Sequence, residues 1–238
     1  MLNPAGLLGQ IDRTPPAAPG TPLIHFRAED LVAGEGSTWD NAGSGGATYD
    51  GTWGDDSLFS GPVAAANLYG LPTVDTVGGG TYQAYLVLAT EYLLPSQFLV
   101  GMVLAVDGSA TPCPFWGQKA SHGAGISTAY DDGDQDPSLS NTAGTYIAGS
   151  DNSTGYYGVW NRWLWHRTGA SALEWFRNGV SKGTGVPSGS YYLGQVCGRF
   201  GVGSQGAGKL AEFILYPSNA VTPAELDAYF CRKFGLTP

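Results

Sequence analysis

"GKLAEFILYPSNAVTPAELDAYFCRKFG", Gly208 to Gly235, is the stretch that decides the fold. It reads as one strand, a short turn and one well-signalled helix. The helix start is marked several times over. Thr222 can cap the first turn, and Pro223 takes the first helical position, where its missing N–H costs nothing. Glu225 closes a capping box with Thr222, and Val221 and Leu226 are placed for a hydrophobic staple. Leu226, Tyr229, Phe230 and Phe234 then form one apolar stripe. Arg232 and Lys233 fill the last turn, favourably for the helix dipole, and Gly235 supplies the residue beyond it. The spacing predicts an amphipathic helix of about 12–13 residues docked on a sheet.

Nothing upstream looks helical in this way. "PLIHFRAED" (22–30) reads as a strand, followed by a Gly-, Ser- and Asp-rich loop to about Pro62 that Trp39, Tyr49 and Trp53 tuck down. "LPTVDTV" (71–77) and "TYQAYLVLAT" (81–90) read as strands separated by three glycines. "QFLVGMVLAVD" (97–107) is a continuous apolar run, as expected for a strand covered on both faces. Residues 113–151 read as loop-rich with short strands. "YYGVWNRWLWHRTG" (156–169) and "SALEWFRNGVSKG" (171–183) read as successive antiparallel strands. Asn178-Gly179 is a hairpin signal, because both central positions of a type I′ turn need positive φ. "YYLGQVCGRFGVG" (191–203) completes the strand set.

The totals agree with a β chain. At 238 residues it is long enough for one large β domain or two small ones, and 37 glycines spread among aromatic and β-branched runs favour short strands and many turns. The formal charge is -9, without basic runs, so the expectation is no nucleic-acid partner. No apolar stretch reaches the roughly 20 residues of a membrane span, and no membrane insertion is expected. The three cysteines, Cys113, Cys197 and Cys231, are far apart and indicate neither a zinc site nor a disulfide framework. Asn152-Ser153-Thr154 matches a glycosylation sequon and carries no weight without a secretory signal, which the first residues do not resemble.

Residues 1–22 stand apart as an extended, Pro-rich arm, ahead of a domain spanning 23–238. Pro15, Pro16, Pro19 and Pro22 favour polyproline-like backbone. Leu2, Leu7, Leu8 and Ile11 are apolar residues with no obvious place to pack. The segment is either a tail or an arm that anchors, with Pro15 and Pro16, on a neighbouring subunit or partner.

Residues at both ends resemble the concanavalin A-like, laminin-G-like jelly-roll domains. The C-terminal signature comprises Trp165-His166, the Phe176-Arg177-Asn178-Gly179 hairpin, Gly201-Val202-Gly203 and Gly208-Lys209-Leu210-Ala211-Glu212-Phe213-Ile214-Leu215-Tyr216. Thr222-Pro223-Ala224-Glu225 and Lys233-Phe234-Gly235 finish it. "PLIHFRAED", "STWDNAGSGG" and "GLPTVDTVGGG" are similar to the opening strand, loop and third strand of that pattern. The resemblance covers residues 23–236. It implies an all-β, two-sheet antiparallel jelly-roll sandwich with one C-terminal helix. Family members serve as carbohydrate-binding modules, adhesion modules and virion surface proteins, and some relatives are glycoside hydrolases; fold alone does not choose among them.

Glycoside hydrolysis needs two carboxylates roughly 5–10 Å apart across a cleft. The Glu-x-Asp-x-x-Glu strand of the hydrolase relatives is absent. None of Glu29, Glu35, Glu91, Glu174, Glu212 and Glu225 has that partner spacing. Glu212 belongs to a structural strand and Glu225 to a cap, so no catalytic residue is expected. Asp131, Asp132, Asp134 and Asp136 form either a calcium site or a solvated hairpin tip, since calcium takes carboxylate oxygens; no other cofactor is expected. Gly201 to Gly206 matches G-x-G-x-x-G in form, but a strand follows where the dinucleotide motif needs a helix. His25, His122 and His166 are isolated, and His166 reads as core or edge.

Trp163 and Trp165 share one strand face by period two, either as core or as a saccharide platform; the core reading is favoured. Trp116 and Tyr130, read as loop residues, are the better exposed sugar-stacking candidates, joined by Tyr156 and Tyr157. The functional expectation is a non-enzymatic structural or adhesion protein on the surface of a virus particle, such as a bacteriophage capsid decoration or tail appendage. It would be made in the host cytoplasm, form a homo-oligomer and contact capsid or tail proteins through its N-terminal arm, and possible host-surface glycans through its loops. The alternative is a free, extracellular carbohydrate-binding lectin module, with a glycoside hydrolase a distant third.

Overall fold

A computed structural model describes residues 15–31, 38–54, 63–75, 85–106, 114–117, 125–128, 137–140, 147–148, 158–186, 190–197 and 208–238. In chain order the strands begin with β1 (Ile24–Arg27), β2 (Thr38–Trp39), β3 (Gly51–Gly54), β4 (Val63–Leu68), β5 (Leu71–Asp75) and β6 (Tyr85–Leu94). Next come β7 (Phe98–Val106), β8 (Pro114–Gly117), β9 (Gly125–Thr128), β10 (Pro137–Ser140) and β11 (Ile147–Ala148). Last are β12 (Trp160–Gly169), β13 (Ala172–Arg177), β14 (Val180–Gly185), β15 (Tyr191–Val196) and β16 (Gly208–Tyr216), followed by helix α1 (Pro223–Phe234).

They form two eight-stranded antiparallel sheets. The first runs β14-β13-β12-β7-β16-β5-β4, with β1 also on β16; the second runs β11-β10-β9-β8-β15-β6-β3-β2. The architecture is the expected two-sheet sandwich with one C-terminal helix. Segments expected to be loop carry strands as well: β2 and β3 lie between Thr38 and Gly54. The loop between β2 and β3 is held by Asn41, whose side chain accepts from the His25 and Gly43 amides and donates to Leu23 and Gly46 carbonyls.

Two apolar layers bury the sheets. Between them lie Phe26, Met102, Trp163, Trp165 and Phe213 from the first sheet and Trp39, Trp53, Phe115, Trp116 and Leu193 from the second. Phe115 meets Trp163 at 5.0 Å between ring centroids, and Trp39 stacks on Trp53 at 5.7 Å. Trp163 and Trp165 are therefore core, as their shared face suggested. The second layer lies between the first sheet and α1, where Leu99, Val103, Leu164 and Ile214 meet Leu226, Tyr229, Phe230 and Phe234. This explains the uninterrupted apolar run of β7: every one of its residues is buried, Leu99, Gly101 and Val103 under the helix and the even-numbered ones between the sheets.

The helix has the ends its sequence encodes. Thr222 Oγ1 accepts from the Glu225 amide, and Glu225 Oε2 accepts from the Thr222 amide at 2.8 Å. Gly235 closes the helix at φ 60° and ψ 26°. Asn178 and Gly179 turn β13 into β14 with φ of 52° and 76°, the signs a type I′ turn requires.

The described part of the N-terminal segment lies along the sandwich. Ala18 packs on the helix layer, Tyr216 Oη donates to the Pro19 carbonyl at 2.6 Å, and Gly20 sits against Val221. Pro15 is exposed and Pro16 half-buried.

Candidate functional site

Two groups of polar and charged side chains stand out among the described residues, one sealed and one open. The sealed one lies between β1, β16 and α1. A β-bulge sets it up: Leu210 pairs with Leu104 and Glu212 with Val103, which leaves Ala211 as the extra residue. The bulge shifts the alternation, so Glu212 points to the helix side while Phe213 and Leu215 return to the core. Glu212 is wholly buried. Its Oε1 accepts from Tyr229 Oη at 2.8 Å and meets His25 Nε2, and Lys233 Nζ stands 2.9 Å from its Oε2. Lys233 also reaches Glu29 Oε1 at 2.7 Å. Burial would push the Glu212 carboxyl up, but the His25 bond and the Lys233 charge together hold it below its ordinary range. Tyr229 is pushed well above the phenol range by burial and by the Glu212 charge beside it. A second buried pair flanks it: Arg162 grips Asp227 through Nε at 2.7 Å and Nη2 at 3.3 Å, and Nη1 donates to the Thr237 carbonyl at 2.8 Å. These groups fasten the helix to the sheet.

The open place lies on the same sheet face beyond the helix, over β12, β13 and β14. Because Trp163, Trp165 and Trp175 face the core, His166, Thr168 and Glu174 must face outward. His166 stands opposite Glu174, and Glu174 opposite Thr184. A bulge beside Lys182 sets the last pairing, since Trp175 pairs with Gly183 but Phe176 with Ser181. With Ser171 and Ala172, this row lines a hollow of about 370 Å³, near the low end of the roughly 300–1,000 Å³ of small-ligand sites. His166 Nε2 bonds Asn219 Oδ1 at 3.2 Å, which ties the groove to the loop before α1. Burial pushes the His166 imidazole below its ordinary value, outweighing the Asn219 bond and the Glu174 charge, which act upward. Glu174 Oε1 accepts from Ser181 Oγ. The groove thus offers one carboxylate, one imidazole and a set of hydroxyls: an array suited to a ligand rich in hydroxyl groups.

A hollow of equal size, about 370 Å³, sits between α1 and Leu164, Phe176 and Gly179, beside the Arg162–Asp227 pair. Its lining is chiefly apolar, and its one buried ion pair is already satisfied, so it lacks the hydrogen-bonding array of the open groove.

The sequence-expected sites fare differently. Trp116 is not on a loop. It is in β8, paired with β15, wholly buried and packed edge-on to Phe98 and Trp165. Its ring face is covered, so it offers no sugar platform. Tyr130, Tyr156, Tyr157 and the Asp131, Asp132, Asp134 and Asp136 cluster lie outside the described residues, as do Leu2, Leu7, Leu8 and Ile11. Among the described residues no group of three His, Cys, Asp or Glu side chains is placed to hold a metal ion. His166, read as core or edge, is neither: it is half-buried on the outward face of β12, an interior strand between β13 and β7. The groove itself was missed, although the Asn178-Gly179 turn carried part of its register.

No protein-family model matches the chain, and no curated protein matches it. Solved structures do. The chain is similar to domain 4 of AbnA, a GH43 extracellular arabinanase from Geobacillus stearothermophilus, solved in complex with arabinotriose. Identity is 15%, the TM-score is 0.64, and the match covers 88% of this chain and 98% of that one. It is also similar to the botulinum neurotoxin serotype D ligand-binding domain solved with N-acetylneuraminic acid, at 11% identity, TM-score 0.58 and 88% coverage of this chain. The chain spans about half of that structure, 50% of its length. At these identities the likeness establishes the fold alone, an antiparallel β-sandwich.

Proposed function

We propose that the chain is a non-enzymatic, lectin-like module that binds glycans through the groove over β12, β13 and β14. The observation that carries the reading is the groove: the helix covers one part of the sheet face and leaves beside it an open row of His166, Glu174 and Thr184 with neighbouring hydroxyls. Sugars present many hydroxyl groups, and sites built to hydrogen-bond them discriminate strongly, since unmatched buried polar groups are costly. The fold supports it, because similar sandwiches were solved with arabinotriose and N-acetylneuraminic acid bound, and the concanavalin A-like resemblance points the same way.

Binding is favoured over hydrolysis by the carboxylates. Hydrolysis needs a pair facing each other across a cleft. Glu212 is held by His25, Tyr229 and Lys233, Glu225 caps the helix, and Glu174 is the one carboxylate among the described residues that line the groove. Isothermal titration of the full chain against neutral and acidic oligosaccharides tests the reading. Saturable heat with at least one probe is expected; no heat across the panel would sink it.

A second reading is attachment to a virus particle through residues 1–14, whose Leu2, Leu7, Leu8 and Ile11 are the apolar residues of the Pro-rich arm. Deleting residues 1–14 should abolish co-sedimentation with the particle and leave the sandwich folded. Unchanged co-sedimentation would remove the anchoring role.

A further inference from the structure

We infer that the groove selects uncharged sugars over sugars bearing a carboxylate, with Glu174 as the selecting residue. The inference rests on the glycan-binding reading above and goes on to its ligand class.

Glu174 is half-buried in the middle strand of the groove, flanked by His166 on β12 and Thr184 on β14. Ser181 donates to one of its oxygens, and the other has no partner among the described residues. An ionised carboxylate only accepts hydrogen bonds. Sugar hydroxyls donate, and bonds to a charged acceptor are roughly twice as strong as neutral ones. A neutral sugar therefore satisfies the free oxygen directly.

A ligand carboxylate cannot. It too only accepts, and it would bring a second negative charge into the same small hollow. Among the described residues, none that lines the hollow is Lys or Arg, so its own walls offer no cation against the repulsion. His166 does not supply one at neutral pH, because burial disfavours its charged form. The whole chain, at -9, adds unfavourable long-range potential for an anionic glycan.

The test is titration of the full chain, at neutral pH and physiological salt, with matched probes: lactose against sialyllactose, and a neutral trisaccharide such as arabinotriose against trigalacturonate. The expected result is about tenfold or more tighter binding of a neutral probe than of its acidic counterpart. Glu174→Gln, which keeps the shape and removes the charge, should bring that ratio toward unity. Acidic probes that bind as tightly as neutral ones, or a ratio that survives Glu174→Gln, would overturn the charge selection while leaving glycan binding in place. Heat from none of the probes would instead remove the glycan-binding reading and this inference with it.

Discussion

Lys233 Nζ stands 2.9 Å from Glu212 Oε2, with both side chains almost wholly out of water. The pair joins the last turn of α1 to the middle of β16. A lysine at that position was expected to serve the helix dipole; instead it fastens the helix to the sheet. Removing one partner of a buried pair leaves a charge without compensation, at a cost of about 3–5 kcal/mol. Lys233→Met should lower stability by that order in urea denaturation. An unchanged midpoint would mean that the pair contributes nothing net.

The same cluster sets a pH window. The Glu212 carboxyl lies below its ordinary value of 4.5 in the folded protein. Its contribution is therefore present above that value and is lost as pH falls toward the folded one, because the unfolded chain takes up the proton first. Tyr229 and Tyr216 are shifted the other way, by burial and then by the Glu212 charge, above their ordinary 10.0. Their contribution is present below pH 10 and is lost above it. Melting temperature plotted against pH should fall at both limits, and Tyr229→Phe should flatten the alkaline limb.

Gly101 marks where helix and sheet come closest. A Cβ there would lie 2.5 Å from Leu226 Cδ2 and 2.9 Å from Leu164 Cδ2. Gly101→Ala should cost about 1–3 kcal/mol through overpacking. Leu226→Ala added to it should cost less than the sum of the two single changes, because the clash is then relieved. Strict additivity in urea denaturation would show that the clash is absorbed elsewhere.

Tyr216 holds the N-terminal segment down through the Pro19 carbonyl. Tyr216→Phe removes one hydrogen bond, worth about 0.5–1.5 kcal/mol. Limited proteolysis should then cut between residues 15 and 22 several-fold faster, by roughly the factor that energy implies, with global stability changed by no more than that amount. Equal cleavage rates would show that packing of Ala18 and Gly20 suffices.

The parts legible in the sequence are those governed by near neighbours. Thr222, Pro223, Glu225 and Gly235 act within one turn of themselves, and Asn178-Gly179 fixes its own turn. Trp163 and Trp165 were readable because strand alternation is local. Trp116 was not: "PFWG" lies between Gly- and Pro-rich stretches and becomes a buried strand only by pairing with β15 and β9, distant in sequence. The groove was hidden for a related reason. A plain two-residue hairpin would pair Glu174 with Gly183, and only the bulge beside Lys182 brings Thr184 opposite it. The sealed cluster depends on the Ala211 bulge and on contacts between His25 and Glu212, far apart in the chain.

The groove over β12, β13 and β14, proposed as the glycan site, is open to a steric test. Ala172 lines it and is exposed, so an indole placed there fills the hollow without entering the core. Titration of folded Ala172→Trp with an oligosaccharide that binds the native chain decides whether this groove is the site. If it is, the heat of binding disappears, while stability in urea stays within about 0.5 kcal/mol. Native affinity in that folded variant would contradict it.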